Sequence, residues 1–67
     1  MAHKYKVGDL FQAKTGFIGE WIDNKVFILT NINTDPFKDA YVLSCQENGR
    51  TIETTLFTIE KDMVKIG

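Results

Sequence analysis

The sequence predicts an all-β domain of five short strands. Three observations carry this. Val, Ile, Thr, Tyr and Phe gather in short runs bounded by Gly, Asn, Asp and Pro. No run keeps a helical spacing of apolar residues over ten positions. An Asn-Gly pair separates two of the runs, and that dipeptide is the strongest short hairpin signal.

The first strand is read over residues 7–14, with Val7, Phe11 and Ala13 inward and Gly8-Asp9 forming a bend at its start. Residues 15–24 form a loop holding Gly16, Gly19 and the turn pair Asp23-Asn24. The second strand is read over residues 25–33. Its apolar run Val26–Leu29 implies apolar surroundings on both faces, with Val26 and Ile28 inward and Phe27 and Leu29 outward. Pro36 sets its own φ and keeps Asp35 out of helix, so Asn33-Thr34-Asp35-Pro36 is a turn.

The third strand is read over residues 40–46, with Tyr41, Leu43 and Cys45 on one face and Val42, Ser44 and Gln46 on the other. Asn48-Gly49 then suits a type I′ turn, which needs positive φ at both central residues. Residues 51–57 are β-branched-rich and read as the fourth strand. Residues 58–62 fit one short 3₁₀ turn, and residues 63–66 a closing strand. The alternative helix over residues 57–66, with Ile59, Met63 and Ile66 at helical spacing, is set aside as too short. The expected core is Val7, Phe11, Val26, Ile28, Tyr41, Leu43, Ile52 and Leu56.

This order of elements resembles the SH3-like small β-barrel, of the type found in KOW and Tudor-like modules and in small phage-encoded proteins. The resemblance rests on Lys6-Val7-Gly8-Asp9, on Gly49 in the distal turn, and on the stretch from Leu56 to Val64. It covers roughly residues 4 to 66 and implies a closed barrel over residues 1–67, with residues 1–4 frayed. An OB-fold fits less well, because a tight turn joins the third and fourth strands. Closure is physically sensible, since an open all-β chain exposes long edges.

The chain has 67 residues, eight basic and nine acidic, for a net charge of −1. That suits one domain, and a chain so short buries only about 60% of its unfolded surface. Its stability is expected at roughly 3–5 kcal/mol. A lone Cys45 excludes an intrachain disulfide and fits a reducing cytoplasm. One Cys and one His do not make a zinc site, so no metal and no cofactor are expected. No apolar segment follows Met1 and no run nears the ~20 residues that span a bilayer, so neither a signal peptide nor a membrane is expected.

Catalysis is not expected. The only His, His3, lies in the terminal segment, and Cys45 shares its face with Tyr41 and Leu43 as a small core hydrophobe. Glu47, Glu53 and Glu60 read as solvated charge, and Gly16 and Gly19 do not form a phosphate loop.

Binding is the better reading. The first loop carries Phe17, Ile18, Trp21 and Ile22, and loops are normally polar. One or two of them plug the open end of the barrel, or residues 18–22 form a short extra strand, or Trp21 and Phe17 are presented to a partner, as aromatic anchors often are. Phe37 beside Pro36 joins them, because SH3-like domains often bind through their first two loops. The residues of polyproline recognition are not matched. Phe27, Leu29 and Val42, if outward, would make an apolar patch suited to a protein partner or a homodimer. The expected function is therefore a small non-enzymatic interaction module, an accessory protein of a phage or mobile element that binds and modulates a host protein. Partner-binding residues are expected at Trp21, Phe17, Phe37 and Ile22. The alternative is an RNA- or ribosome-associated KOW-like module using Lys4, Lys6, Lys14, Lys25, Arg50 and Lys65, although acids interleave with these.

Overall fold

The apolar run Val26–Leu29 runs through the middle of a five-stranded antiparallel sheet, in a computed structural model that describes residues 4–14, 21–34 and 39–67. The strands are β1 (Leu10–Ala13), β2 (Val26–Thr34), β3 (Asp39–Cys45), β4 (Thr51–Thr54) and β5 (Met63–Lys65), with one helix, α1 (Leu56–Asp62), before β5. Their order across the sheet is β4-β3-β2-β1-β5, so β4 and β5 form its edges. The all-β expectation holds, with a helix in addition.

β1 begins at Leu10 rather than Val7. Gly8 takes a φ of 102°, in the left-handed half of backbone space that glycine enters at least cost. Its N–H donates to the Leu29 carbonyl at 2.8 Å. The buried Asp9 carboxylate accepts from the Lys6 N–H at 3.1 Å and ties the bend together. Val7 thus lies outside the ladder and is 59% exposed, which corrects its expected place in the core.

The faces of β2 are reversed from expectation. Phe27 stands opposite Cys45 and Leu29 opposite Leu43, and both are 0% exposed. Val26 and Ile28 lie half-buried on the other face. With both parities apolar, the face is decided by what the partner strand presents. A bulge between Leu29 and Asn31 then shifts the register, and the extra residue is Thr30. The Thr30 hydroxyl donates to the Val42 carbonyl at 3.1 Å. Beyond the bulge Ile32 stands opposite Tyr41 and packs against the core.

β3 buries Tyr41, Leu43 and Cys45, as its alternation implies. The Asn-Gly turn joins β3 to β4, but the connection is a five-residue loop, residues 46–50, and not a two-residue type I′ turn. Cys45 N–H donates to the Arg50 carbonyl at 2.7 Å, and Gly49 N–H donates back to the Cys45 carbonyl at 2.9 Å. Gly49 has a φ of 75°, whereas Asn48 keeps negative φ and accepts the Arg50 N–H on its side-chain oxygen at 2.9 Å.

The fourth strand stops at Thr54, short of its expected end at Phe57. Thr55 is the N-cap of α1, and its Oγ1 accepts from the Thr58 N–H at 3.3 Å. The expected 3₁₀ turn is thereby replaced by a seven-residue α-helix. Leu56, Ile59 and Met63 fall on one side of this turn of chain. Ile59 and Met63 are buried, and Leu56 packs against the core. Lys61 in the last turn complements the carbonyl end of the helix.

The core is Phe11, Ala13, Ile22, Phe27, Leu29, Tyr41, Leu43, Cys45, Ile59 and Met63, with Tyr5, Trp21, Ile32, Ile52 and Leu56 packed around it. Tyr5 meets Phe11 edge-on at 4.9 Å between ring centres. Each fully buried aromatic or Leu side chain contributes about 1.5–3 kcal/mol. The opposite face carries half-buried Leu10, Val26, Ile28 and Val42 and exposed Val64. This set replaces the outward patch expected from Phe27, Leu29 and Val42, of which only Val42 remains.

Candidate partner-binding surface

Residues 21–24 turn the chain into β2. Asn24 has a φ of 61°, a conformation Asn tolerates better than most residues. Its N–H donates to the Ala13 carbonyl at 3.1 Å, and Ala13 N–H donates to the Lys25 carbonyl at 3.0 Å. This turn is therefore stitched to the end of β1. Consecutive residues in it point in different directions. Ile22 enters the core and is 7% exposed. Trp21 stays half-buried at the rim.

Trp21 lies between two partners. Its ring is 6.1 Å from that of Phe27, tilted by 60°. On it sits the Arg50 guanidinium, 4.1 Å from the ring centre. Arg50 comes from the far side of the β3–β4 loop, where the Asn48 side chain holds its backbone N–H. Lys25 and Glu47 link the same two segments through an ion pair of 3.4 Å, and Gln46 N–H donates to the Val26 carbonyl at 2.8 Å. An exposed pair of this kind adds only about 0–1 kcal/mol. An exposed cation–π contact adds about 0.5–1 kcal/mol. Their joint effect is positional: the segment 21–25 and the loop 46–50 form one rim with Trp21 and Arg50 at its centre.

Of the expected binding residues, Trp21 keeps part of its surface exposed at the rim. Ile22 does not, which corrects its assignment as a surface anchor: an apolar side chain beside the core gains more by burial. Phe17 and Phe37 lie outside the described residues. Arg50, expected only as a member of a basic set, is the residue that holds Trp21. A second unexpected feature is Phe57, which is 71% exposed on the first turn of α1. The Lys61 ammonium, one helical turn along, is 5.6 Å from its ring centre.

Lys4 pairs with Glu60 and so tethers the segment before β1 to α1. The hydrogen bond that Lys4 donates to Glu60, together with the charge of Glu60, raises the Lys4 pKa. Burial raises the Tyr41 phenol above its ordinary value, with Asp39, Glu60 and Tyr5 acting in the same direction. Cys45 is a buried thiol. Among the described residues, no three His, Cys, Asp or Glu side chains are grouped to hold a metal ion, and no helix is long and apolar enough to cross a membrane. No protein-family model, curated protein or solved structure matches the chain.

Proposed function

We propose that this chain is an SH3-like interaction module that binds another protein through the rim built around Trp21 and Arg50. The observation that carries the reading is the Arg50 guanidinium 4.1 Å above the half-buried Trp21 ring. Trp and Arg are the side chains most enriched among residues that dominate protein interfaces. Here they are already ordered against each other, so less side-chain entropy is lost on binding. The strand order β4-β3-β2-β1-β5, with a short helix between β4 and β5, supports the SH3-like resemblance. In the same reading the module is an accessory protein of a phage or mobile element. It binds and modulates a host protein in a reducing cytoplasm, a setting that the buried thiol of Cys45 fits. It does so without catalysis.

A nucleic-acid partner is the weaker reading. Two of the basic residues that would serve it, Lys4 and Lys25, are paired with Glu60 and Glu47. The proposal is tested by photo-crosslinking in host cells, with a photoreactive residue at Gln12, Asn48 or Phe57. A protein captured from Asn48 alone, and lost on Trp21→Ala in a chain that still folds, supports it. Equal capture from all three positions, or capture unchanged by Trp21→Ala, overturns it.

A further inference from the structure

We propose that the outer edge of β4 takes up an extended basic peptide as an added strand, at a site separate from the Trp21 rim. Among the described residues the sheet order leaves β4 with one neighbour, β3. Cys45 N–H donates to the Arg50 carbonyl. Antiparallel pairs alternate between bonded and non-bonded. Leu43–Ile52 and Tyr41–Thr54 are therefore bonded pairs, and Thr51 and Glu53 turn their N–H and C=O groups away from β3.

Sheet edges are normally blunted by being very short, by charged side chains, Lys above all, by Pro, by a bulge or by a covering element. Thr51-Ile52-Glu53-Thr54 contains neither Lys nor Pro, and its register with β3 runs without a shift. The helix α1 departs from Thr55 and packs on β3 and β5. The other edge, β5, is only three residues long and ends in Lys65. The β4 edge is blunted only by its four-residue length and by Glu53, and such an edge can recognise an incoming strand through main-chain hydrogen bonds, while pockets for alternate side chains select the sequence.

The charge beside this edge selects the occupant. Asp39, Ala40, Glu53, Thr54 and Thr55 line a hollow at its end. The Glu53 carboxylate meets the Asn33 amide at 3.5 Å, the outer limit of a hydrogen bond. A strand laid along β4 that presents Lys or Arg beside Glu53 gains an opposite-charge cross-strand pair. A second copy of this chain brings another acidic β4 with no Lys. In the register that sets Glu53 against Glu53, the two copies repel each other.

The test is an NMR titration of the full chain with acetyl-Val-Lys-Val-Lys-Val-Lys-amide, with the Val-Glu peptide of equal length as control. The basic peptide should shift the Thr51 and Glu53 amides and slow their hydrogen exchange. It should leave Trp21 unmoved and bind Trp21→Ala equally well, which separates this site from the rim. Glu53→Lys should weaken basic-peptide binding about fivefold and improve binding of the acidic peptide. Glu53 is exposed, so this variant should keep the amide spectrum of the folded chain. The proposal is overturned if both peptides bind equally or if the shifts centre on Trp21. It is also overturned if the Thr51 and Glu53 amides shift with protein concentration alone, because the occupant is then a second copy.

Discussion

The Arg50 guanidinium rests 4.1 Å from the centre of the Trp21 ring, joining the turn before β2 to the loop after β3. Arg50→Ala should remove this lid and lower stability by about 0.5–1 kcal/mol in urea unfolding. It should also expose the indole, seen as a red shift and stronger iodide quenching of Trp fluorescence. Arg50→Lys should recover only part of both effects, since an ammonium lacks the flat face that stacks. Unchanged quenching in Arg50→Ala would break the link.

The inward placement of Phe27 and Leu29 is testable against their neighbours. Phe27→Ala should cost about 3–5 kcal/mol, which equals the expected stability of the whole domain, so the variant should be largely unfolded. Val7→Ala, at an exposed position, should stay within about ±0.5 kcal/mol. Circular dichroism with chemical denaturation separates the two. A folded Phe27→Ala would refute the assigned face of β2.

The cap at Thr55 accounts for the presence of a helix where a single tight turn was expected. Thr55→Ala should cost about 1 kcal/mol, whereas Thr55→Asn, which also accepts from a backbone N–H, should cost much less. Equal losses in the two variants would show that the hydroxyl does not hold the first turn of α1.

Stability should fall above pH 10. Tyr41 has a folded pKa raised above the ordinary 10.0, so the folded chain holds that proton more tightly than the unfolded one. The contribution is therefore complete below pH 10 and is lost as pH rises through the folded value. Lys4 is raised above 10.5 by Glu60, so its contribution is lost over the same alkaline range. Urea midpoints measured from pH 8 to 11 should decline, and Tyr41→Phe should flatten the decline. A decline just as steep in Tyr41→Phe would remove Tyr41 as its cause.

Strand positions were legible because turn residues bracket each run. β2 and β3 lie within one residue of their expected ends, and Tyr41, Leu43 and Cys45 alternate unambiguously. The face of β2 was not legible, because Val26, Phe27, Ile28 and Leu29 are apolar at both parities. The bulge at Thr30 compounds this: Ile32, counted in steps of two without it, points back to Ile28 instead of Leu29. The helix was masked by its own cap, since Thr54 and Thr55 read as β-branched strand. Trp21 could be singled out as a large aromatic residue in a loop. Its contact with Arg50 could not, because it depends on how two separate turns meet in space.

The bulge at Thr30 also sets a counting rule for the gene. Phe27 and Leu29 before it, and Ile32 after it, share the core only because one residue is spent out of step. Losing a single codon between Leu29 and Ile32 would leave every other residue type in place. With one residue fewer the bulge closes: Ile32 then lies two places after Leu29, still opposite Tyr41 and still on the core face. This short stretch can therefore lose one residue in register, whereas one residue more would turn Ile32 away from Tyr41.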